Sequence, residues 1–260
     1  MEGYYKNPPV PKDADSIVNV SGGLECFASL WWAKENGLNP IALHLYNNPN
    51  NHPAKDAQLF YAKKQADFFG FPLVVEYSHL PAETSLALMV NMYVSACTML
   101  LLGNTRDWKY MVWGGNSEDS LLQRLQLRYP TRAYLAEHSF QLDLHGIAAH
   151  KFMKAPLQLF PFEMLTKSEV LSMIAKNGEL WEFANKNTWY CYPSLKDRPH
   201  LVQKIKTLKV GKEIVGYEKC GECPKCKEFD NAKQTANKSY YKQQEGTFHR
   251  RKPKQEWIDE

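Results

Sequence analysis

The first 120 residues alternate between short apolar runs and longer segments in which apolar positions recur with helical spacing. Such alternation favours a parallel sheet that is covered by helices on both faces. The apolar and β-branched runs predict strands at 16–20, 40–46, 72–77 and 110–113. The patterns between them predict helices at 24–36 and 53–69, each followed by a glycine. We therefore predict an α/β fold whose ligands bind at the carboxyl ends of the strands.

The segment 84–103 contains no charged residue and is long enough to cross a membrane. Polar residues interrupt it, however, and Glu83 and Arg106 lie near its two ends. A helix that is apolar on all sides is covered either by protein or by lipid. We interpret this segment as a buried helix that is covered by the central sheet and a second subunit, which predicts a homodimer and no membrane insertion.

The second half of the chain has a less regular pattern. Its clearest signal is a capping box of Thr166 and Glu169, which predicts a helix over 166–177 that stops before Gly178. A further helix is expected over about 120–138. We divide the chain into an α/β domain (1–160), a helical region (161–243) and a basic, exposed tail (244–260).

Composition is that of a globular protein with a sizeable core, since 44% of the 260 residues are hydrophobic and 23% are charged. The formal net charge of +4 is too small to indicate a nucleic-acid partner. The basic run 249–252 would suit phosphate groups, but a solvated tail is the preferred interpretation. The N-terminus lacks the apolar segment of a signal peptide, so we expect a cytoplasmic protein.

The six cysteines are unevenly distributed. Cys191 lies in the last third of the chain, where Cys220, Cys223 and Cys226 follow with the spacing C-x-x-C-x-x-C. In a reducing compartment clustered thiols usually bind metal, although an even number of cysteines also leaves a disulfide framework open. Cys97 is expected to be a small buried apolar residue.

The turn Ser21-Gly22-Gly23 stands between the first predicted strand and the first predicted helix. Backbone amides at the start of a helix bind phosphate, and glycine lets the anion approach closely. The Ser21 hydroxyl adds one donor. The turn matches neither the G-x-x-x-x-G-K-[ST] nor the G-x-G-x-x-G phosphate motif. An ordinary turn is the alternative, but the position between strand and helix favours phosphate binding.

The segment SGGLEC, residues 21–26, resembles the PP-loop SGGxDS of ATP pyrophosphatases. Glu25 takes the place of the family's aspartate, and Cys26 that of its second serine. The resemblance implies a Rossmann-like sheet of the adenine nucleotide α-hydrolase type. It also implies that the loop residues hold the pyrophosphate of ATP, with Glu25 serving magnesium: Ser21, Gly22, Gly23, Leu24, Glu25 and Cys26.

Two further segments, TWYCY at 188–192 and CGECPKC at 220–226, resemble the zinc site of the 7-cyano-7-deazaguanine synthase (QueC) family. The resemblance implies a tetrahedral, structural zinc ion on Cys191, Cys220, Cys223 and Cys226. An iron–sulfur cluster on the same thiols, or free or disulfide-bonded cysteines, are the alternatives.

Other parts of the chain align with the same family in order. The match implies nucleotide contacts at Tyr46, Gly114 and Gly115, and substrate contacts at Asn116 and Asp119. In PLQLFPFEMLTKSEV the family's TK-x-E helix start is present, and Lys167 is a candidate for phosphate contact or, equally, a solvated lysine. The family's YPDCR-like stretch, which faces the deazapurine, is not found in this sequence.

Family membership implies an ATP-dependent C–N ligase that converts 7-carboxy-7-deazaguanine and ammonia into 7-cyano-7-deazaguanine (preQ0) through adenylated intermediates, as in queuosine biosynthesis. Ser21, Glu25 and Lys167 would be its catalytic residues. Two alternatives stay open: a PP-loop enzyme that adenylates another acid or attaches a deazapurine to another molecule, and a catalytically silent zinc protein that binds a partner.

Overall fold

A computed structural model describes residues 5–48, 51–77, 108–116, 157–162 and 165–240. Its centre is a five-stranded sheet in which every neighbouring pair of strands is parallel and the order is β3-β2-β1-β4-β5. The strands are β1 (Ser16–Asn19), β2 (Pro40–Tyr46), β3 (Leu73–Tyr77), β4 (Tyr110–Val112) and β5 (Leu157–Leu159). The predicted α/β fold is confirmed.

Both faces of the sheet are buried. Helices α1 (Leu24–Glu35) and α2 (Pro53–Phe69) pack on one face, where Val18 and Phe27 belong to the same core. The neighbouring strand residue Ile17 points to the other face and packs in a second core with Ile41 and Met111. Because side chains alternate along a strand, the near-continuous apolar runs of β1 and β2 supply both cores at once.

The topology places a switch point between β1 and β4. From β1 the chain crosses through α1 to β2 on one side, while β4 pairs with β1 on the other side. Ligands of open α/β sheets bind in the crevice that forms at such a point, beyond the carboxyl ends of the strands. Two glycine turns lie there, after β1 and after β4.

The C-terminal part adds a helical layer and a hairpin. Helix α3 (Lys167–Ala175) packs on α1 and on the last helix, and Val170, Phe229 and Ala236 join the core that contains Phe27. The remaining elements are α4 (Gly178–Asn187), α5 (Pro199–Val202), β6 (Lys206–Val210), β7 (Glu213–Glu218) and α6 (Pro224–Tyr240).

Local signals account for most of these boundaries. The predicted capping box is present, since the Thr166 side chain accepts from the Glu169 amide and Glu169 accepts from the Thr166 amide. The β6–β7 hairpin was not predicted, although Gly211, with φ 61°, stands between two runs of strand-forming residues.

Several predictions fall outside the described residues. These are the helices over 84–103 and 120–138, the tail 244–260, Cys97 and Asp119. Among the described helices, none combines the length and the apolar character that a membrane span requires.

Candidate nucleotide site and metal centre

The Ser21-Gly22-Gly23 turn forms an open cradle of backbone at the start of α1. Gly23 is the N-cap, with φ −76° and ψ 172°, and it has no side chain to cap the first turn. The first backbone bond of the helix runs from the Phe27 N–H to the Gly23 carbonyl, at 3.1 Å. The amides before Phe27 therefore lie in the unsatisfied first turn, where the helix dipole favours an anion.

Gly22 is required by packing as well as by conformation. Its φ of +76° is a left-handed value, and an added Cβ would lie 2.7 Å from the Gln58 carbonyl oxygen of α2. Gly23 differs, because its φ is ordinary and an added Cβ would come no closer than 3.5 Å, to the Ser21 hydroxyl. Gly22 thus allows the turn to pack closely against α2, whereas the missing side chain at Gly23 leaves space beside the first amides of α1.

The Cys26 side chain closes the turn from inside. Its Sγ accepts a hydrogen bond from the Ser21 N–H at 3.2 Å and lies 3.3 Å from the Ser21 Oγ. Cys26 therefore holds the first residue of the loop. Leu24 contributes only backbone to the cradle, since its side chain is buried in the core.

A second set of contacts fastens the turn to distant parts of the chain. Buried Gln65 donates from Nε2 to the carbonyl oxygens of Gly22, Gly23 and Asn187, at 2.8, 3.2 and 3.0 Å. The Trp189 N–H also donates to the Gly22 oxygen, at 2.7 Å. Sequence reasoning missed Gln65, although a glutamine on the apolar face of α2, between Ala62 and Phe69, is a detectable anomaly.

Glu25 is the centre of a network of polar side chains. Its Oε1 accepts from the Asn116 Nδ2 at 2.7 Å and lies 3.4 Å from the Lys167 Nζ. Lys167 also donates to the Glu228 Oε1 of α6, at 2.5 Å. Asn116, expected to contact substrate, is nearly fully buried and its side chain supports Glu25. Three predicted site residues therefore converge: Glu25, Asn116 and Lys167.

Lys167 is a buried cation rather than a solvated one. Burial alone would lower its pKa, but the carboxylates of Glu25 and Glu228 outweigh that cost and raise the pKa above its ordinary value. The solvated-lysine interpretation is therefore wrong. The ammonium stays charged at neutral pH and joins the loop to α6.

Tyr46 and Gly114 lie at the ends of the strands on either side of β1. The Tyr46 hydroxyl donates to Asp56 Oδ1 at 2.5 Å and accepts from Asn48, while burial and Asp56 raise its pKa. A Cβ at Gly114 would lie 2.9 Å from the Glu25 backbone, so β4 packs tightly against the first turn of α1. Gly115 follows at the edge of the described segment.

The predicted cysteines form one buried cluster. The Sγ atoms of Cys191, Cys220, Cys223 and Cys226 all lie within 4.8 Å of one another. The Sγ–Sγ distances include 3.4 Å for Cys191–Cys220, 3.5 Å for Cys223–Cys226 and 4.0 Å for Cys220–Cys226. Hydrogen bonds from Cys191 and Cys223 lower the pKa of the Cys226 thiol to about 6. Within the described ranges these cysteines are free thiols, so the disulfide alternative is not supported.

The cluster has the dimensions of a site for one tetrahedral ion. Zinc–sulfur bonds of about 2.3 Å place thiolates about 3.8 Å apart, which is close to the observed separations. Thiolates also suit the iron of an iron–sulfur cluster, which stays the alternative on the same cysteines. Backbone amides support the sulfurs, since the N–H of Cys220 donates to Cys191 and that of Cys223 to Cys220. The donor set therefore fits zinc.

Comparisons with known proteins give a fold likeness only. No protein-family model and no curated protein matches the chain. Among solved structures, the chain is similar to the U34-tRNA thiolase NcsA from Methanococcus maripaludis with its [4Fe-4S] cluster, at 13% identity and a TM-score of 0.45, over 90% of this chain and 73% of that one. It is also similar to NMN synthetase from Francisella tularensis, at 15% identity and a TM-score of 0.39, over 91% and 90% of the two chains. At these values the functional assignment depends on this chain's own residues.

Proposed function

We propose that the chain is an ATP-dependent enzyme whose loop 21–26 binds the pyrophosphate part of ATP. The observation that carries the proposal is the open backbone cradle at Gly23, which begins a helix at the switch point of a parallel sheet. Gly22, Gln65 and Trp189 hold this cradle in place through contacts within the protein. A preorganised set of donors stabilises charge that develops on leaving pyrophosphate.

The reaction that agrees best with the motifs is nitrile formation on 7-carboxy-7-deazaguanine. A substrate carboxylate oxygen attacks the α-phosphorus of ATP, giving an acyl-adenylate and pyrophosphate. Ammonia then displaces AMP to form the amide. A second ATP adenylates the amide oxygen, and loss of AMP and a proton leaves the nitrile of preQ0. The QueC-like motifs support this choice of substrate.

In this scheme the chain's own groups bind and orient. The loop amides and the Ser21 hydroxyl would bind the pyrophosphate oxygens. Glu25, which is oriented by Asn116 and Lys167, would hold a magnesium ion that accompanies the nucleotide. Asp119 is proposed to contact the substrate. Zinc on the four thiolates would be structural, because all its positions are filled by protein.

The test is to incubate zinc-loaded protein with ATP, magnesium, ammonium and 7-carboxy-7-deazaguanine, and to measure AMP, pyrophosphate and nitrile. We expect all three products, and we expect Gly23→Ala to reduce the rate at least tenfold because the added methyl group narrows the cradle. Gly178→Ala, at the start of α4 and away from the loop, is the matched control and should leave the rate unchanged.

Other outcomes separate the alternatives. AMP release with a different acid, but not with the deazapurine, would keep the adenylating enzyme and replace its substrate. Calorimetry that shows no ATP binding by the wild-type protein, together with no AMP release, would overturn the proposal. Such a result would favour a silent binding protein, in which Lys167 permanently neutralises Glu25.

A further inference from the structure

Two lysines lie near the loop, and they differ in their partners. Lys167 is bound by two carboxylates. Lys55, on the first turn of α2, is half-buried, and within the described part of the chain no carboxylate forms an ion pair with it. Its ammonium instead lies 5.2 Å from the centre of the Tyr192 ring. Burial lowers the pKa of Lys55, as expected for a cation that lacks a counter-charge.

The position of Lys55 on α2 directs it toward the loop. Lys55, Gln58 and Ala62 are spaced i, i+3 and i+7 and share one face of the helix. The backbone of Gln58 and Ala62 on this face is what meets Gly22, where an added Cβ would lie 2.7 Å from the Gln58 oxygen and 3.1 Å from the Ala62 nitrogen. Lys55 is one turn closer to the helix start, about 4.5 Å along the axis from Gln58. It therefore lies one turn from the helix residues that Gly22 packs against, toward the start of α2.

Neighbouring groups agree with this placement. The ammonium is close enough to His44 to contribute to the lowering of its pKa, after burial, and the His44 ring bonds the Val20 carbonyl, one residue before Ser21. On its other side lies Tyr192, which stacks on His52 with ring centres 4.8 Å apart. The Lys55 ammonium thus lies against the Tyr192 ring, and its charge acts on His44 of β2.

We propose that Lys55 binds the terminal phosphates of the nucleotide in the loop, and so neutralises charge on the departing pyrophosphate. This inference rests on the proposed ATP-binding function and assigns the residue that supplies the positive charge. Lys167 is not available for that purpose, because Glu25 and Glu228 already compensate its charge. The ligand class is a di- or triphosphate, and a substrate carboxylate is the competing anion.

The test is calorimetry of the zinc-loaded full chain with inorganic pyrophosphate, ATP and AMP. We expect Lys55→Met to weaken binding of pyrophosphate and ATP about tenfold and to leave AMP within twofold, since AMP lacks the terminal phosphates. Lys55→Arg should retain most of the affinity. Lys63→Met, on the exposed side of the same helix where Lys63 pairs with Asp67, is the control and should bind as the wild type does.

The possible results distinguish this inference from the function on which it rests. Tight pyrophosphate binding by the wild type that Lys55→Met leaves within twofold would overturn the inference but not the ATP site. A Lys55→Met variant with normal ATP and pyrophosphate affinity but a raised KM for the acid would assign the lysine to a carboxylate, and so overturn it as well. Failure of the wild type to bind ATP or pyrophosphate would overturn the proposed function itself. Unchanged thermal unfolding of Lys55→Met shows that the variant is folded.

Discussion

The loop 21–26 and the cysteine cluster are built in opposite ways. The loop consists mainly of backbone, and protein contacts from Gln65 and Trp189 already hold it. The cluster consists of four thiol side chains, buried within 4.8 Å of one another. Thiolates at that spacing repel each other unless a cation lies between them. The loop is therefore held by contacts within the protein, whereas the cluster, once its thiols are ionised, would be held by a cation.

A chain of charged side chains joins the two regions. Glu228 lies two residues after Cys226 on α6, it binds Lys167 on α3, and Lys167 binds Glu25 in the loop. A metal ion on the cysteines would thus position α6, whose Glu228 holds Lys167 beside Glu25. An ion with no open coordination position would in this way influence the proposed nucleotide site.

Metal removal should have the largest effect, and it should act on the cluster first. A structural zinc site contributes about 10 kcal/mol of apparent binding free energy, so Cys223→Ser or a strong chelator should unfold α6 and lower solubility. Elemental analysis and far-UV circular dichroism measure both effects. Cys26→Ser, whose thiol lies outside the cluster, is the control. About one zinc per chain is expected in the wild type, and zinc-free, fully folded protein would contradict the prediction.

Gly22→Ala should have the second-largest effect on stability, because it disturbs the backbone conformation of the loop. The left-handed φ of +76° and the approach to the Gln58 oxygen together should cost about 3 kcal/mol of unfolding free energy. Gly23→Ala should cost less than about 1 kcal/mol, since neither constraint applies there. Urea denaturation measures the free energy of unfolding of both variants. Equal losses of unfolding free energy would show that packing does not distinguish the two glycines.

Acid should weaken the loop side of the sheet through His44. Burial lowers the pKa of this histidine from 6.5 to about 4, so the unfolded chain takes up a proton in this interval while the folded chain does not. Stability is therefore lost as pH falls from 6.5 towards 4, by about 3 kcal/mol at most. His44→Gln should show a smaller loss over the same interval when unfolding free energy is measured against pH. If the unfolding free energy of His44→Gln depends on pH as steeply as that of the wild type, His44 is excluded as the cause of the acid destabilisation.

The link between the two regions should have the smallest effect. A double-mutant cycle of Lys167→Met and Glu228→Gln should give a coupling energy of about 1 kcal/mol, because the pair is partly buried but Glu228 remains in contact with solvent. Measuring ATP affinity for the same set of variants tests whether the Lys167–Glu228 pair influences Glu25. Strictly additive effects on both stability and affinity would show that the loop and the cluster are independent.

Features with a short-range cause were predictable from the sequence. The first strands lie within about one residue of their predicted positions because each is a compact apolar run bounded by turn residues. The capping box at Thr166 was identified because its residues are three positions apart and bond each other. Cys220, Cys223 and Cys226 were grouped by their spacing and Cys191 was added through the QueC resemblance, and the structure brings all four together.

What could not be predicted depends on contacts between distant segments. Gln65 reaches Asn187 across 122 positions, and Glu25 meets Asn116 across 91. No local pattern encodes such pairs, because they depend on how α1, α2, α4 and β4 are placed relative to one another. Lys55 and Lys167 illustrate the point, since both are lysines on the first turn of a helix and only their surroundings separate them.

The sequence by itself determined the α/β alternation, the glycine turn between β1 and α1 and the C-x-x-C-x-x-C group of thiols, since periodicity, glycine conformation and ligand spacing act over a few residues. Only the tertiary structure showed that Gly22 packs closely against α2 and that the charge of Lys167 is neutralised by two carboxylates. It also showed that Glu228 and Lys167 connect the cysteine cluster to the loop. The physical reason is that burial and electrostatics depend on every group within a few ångströms, and most of those groups are far away along the chain.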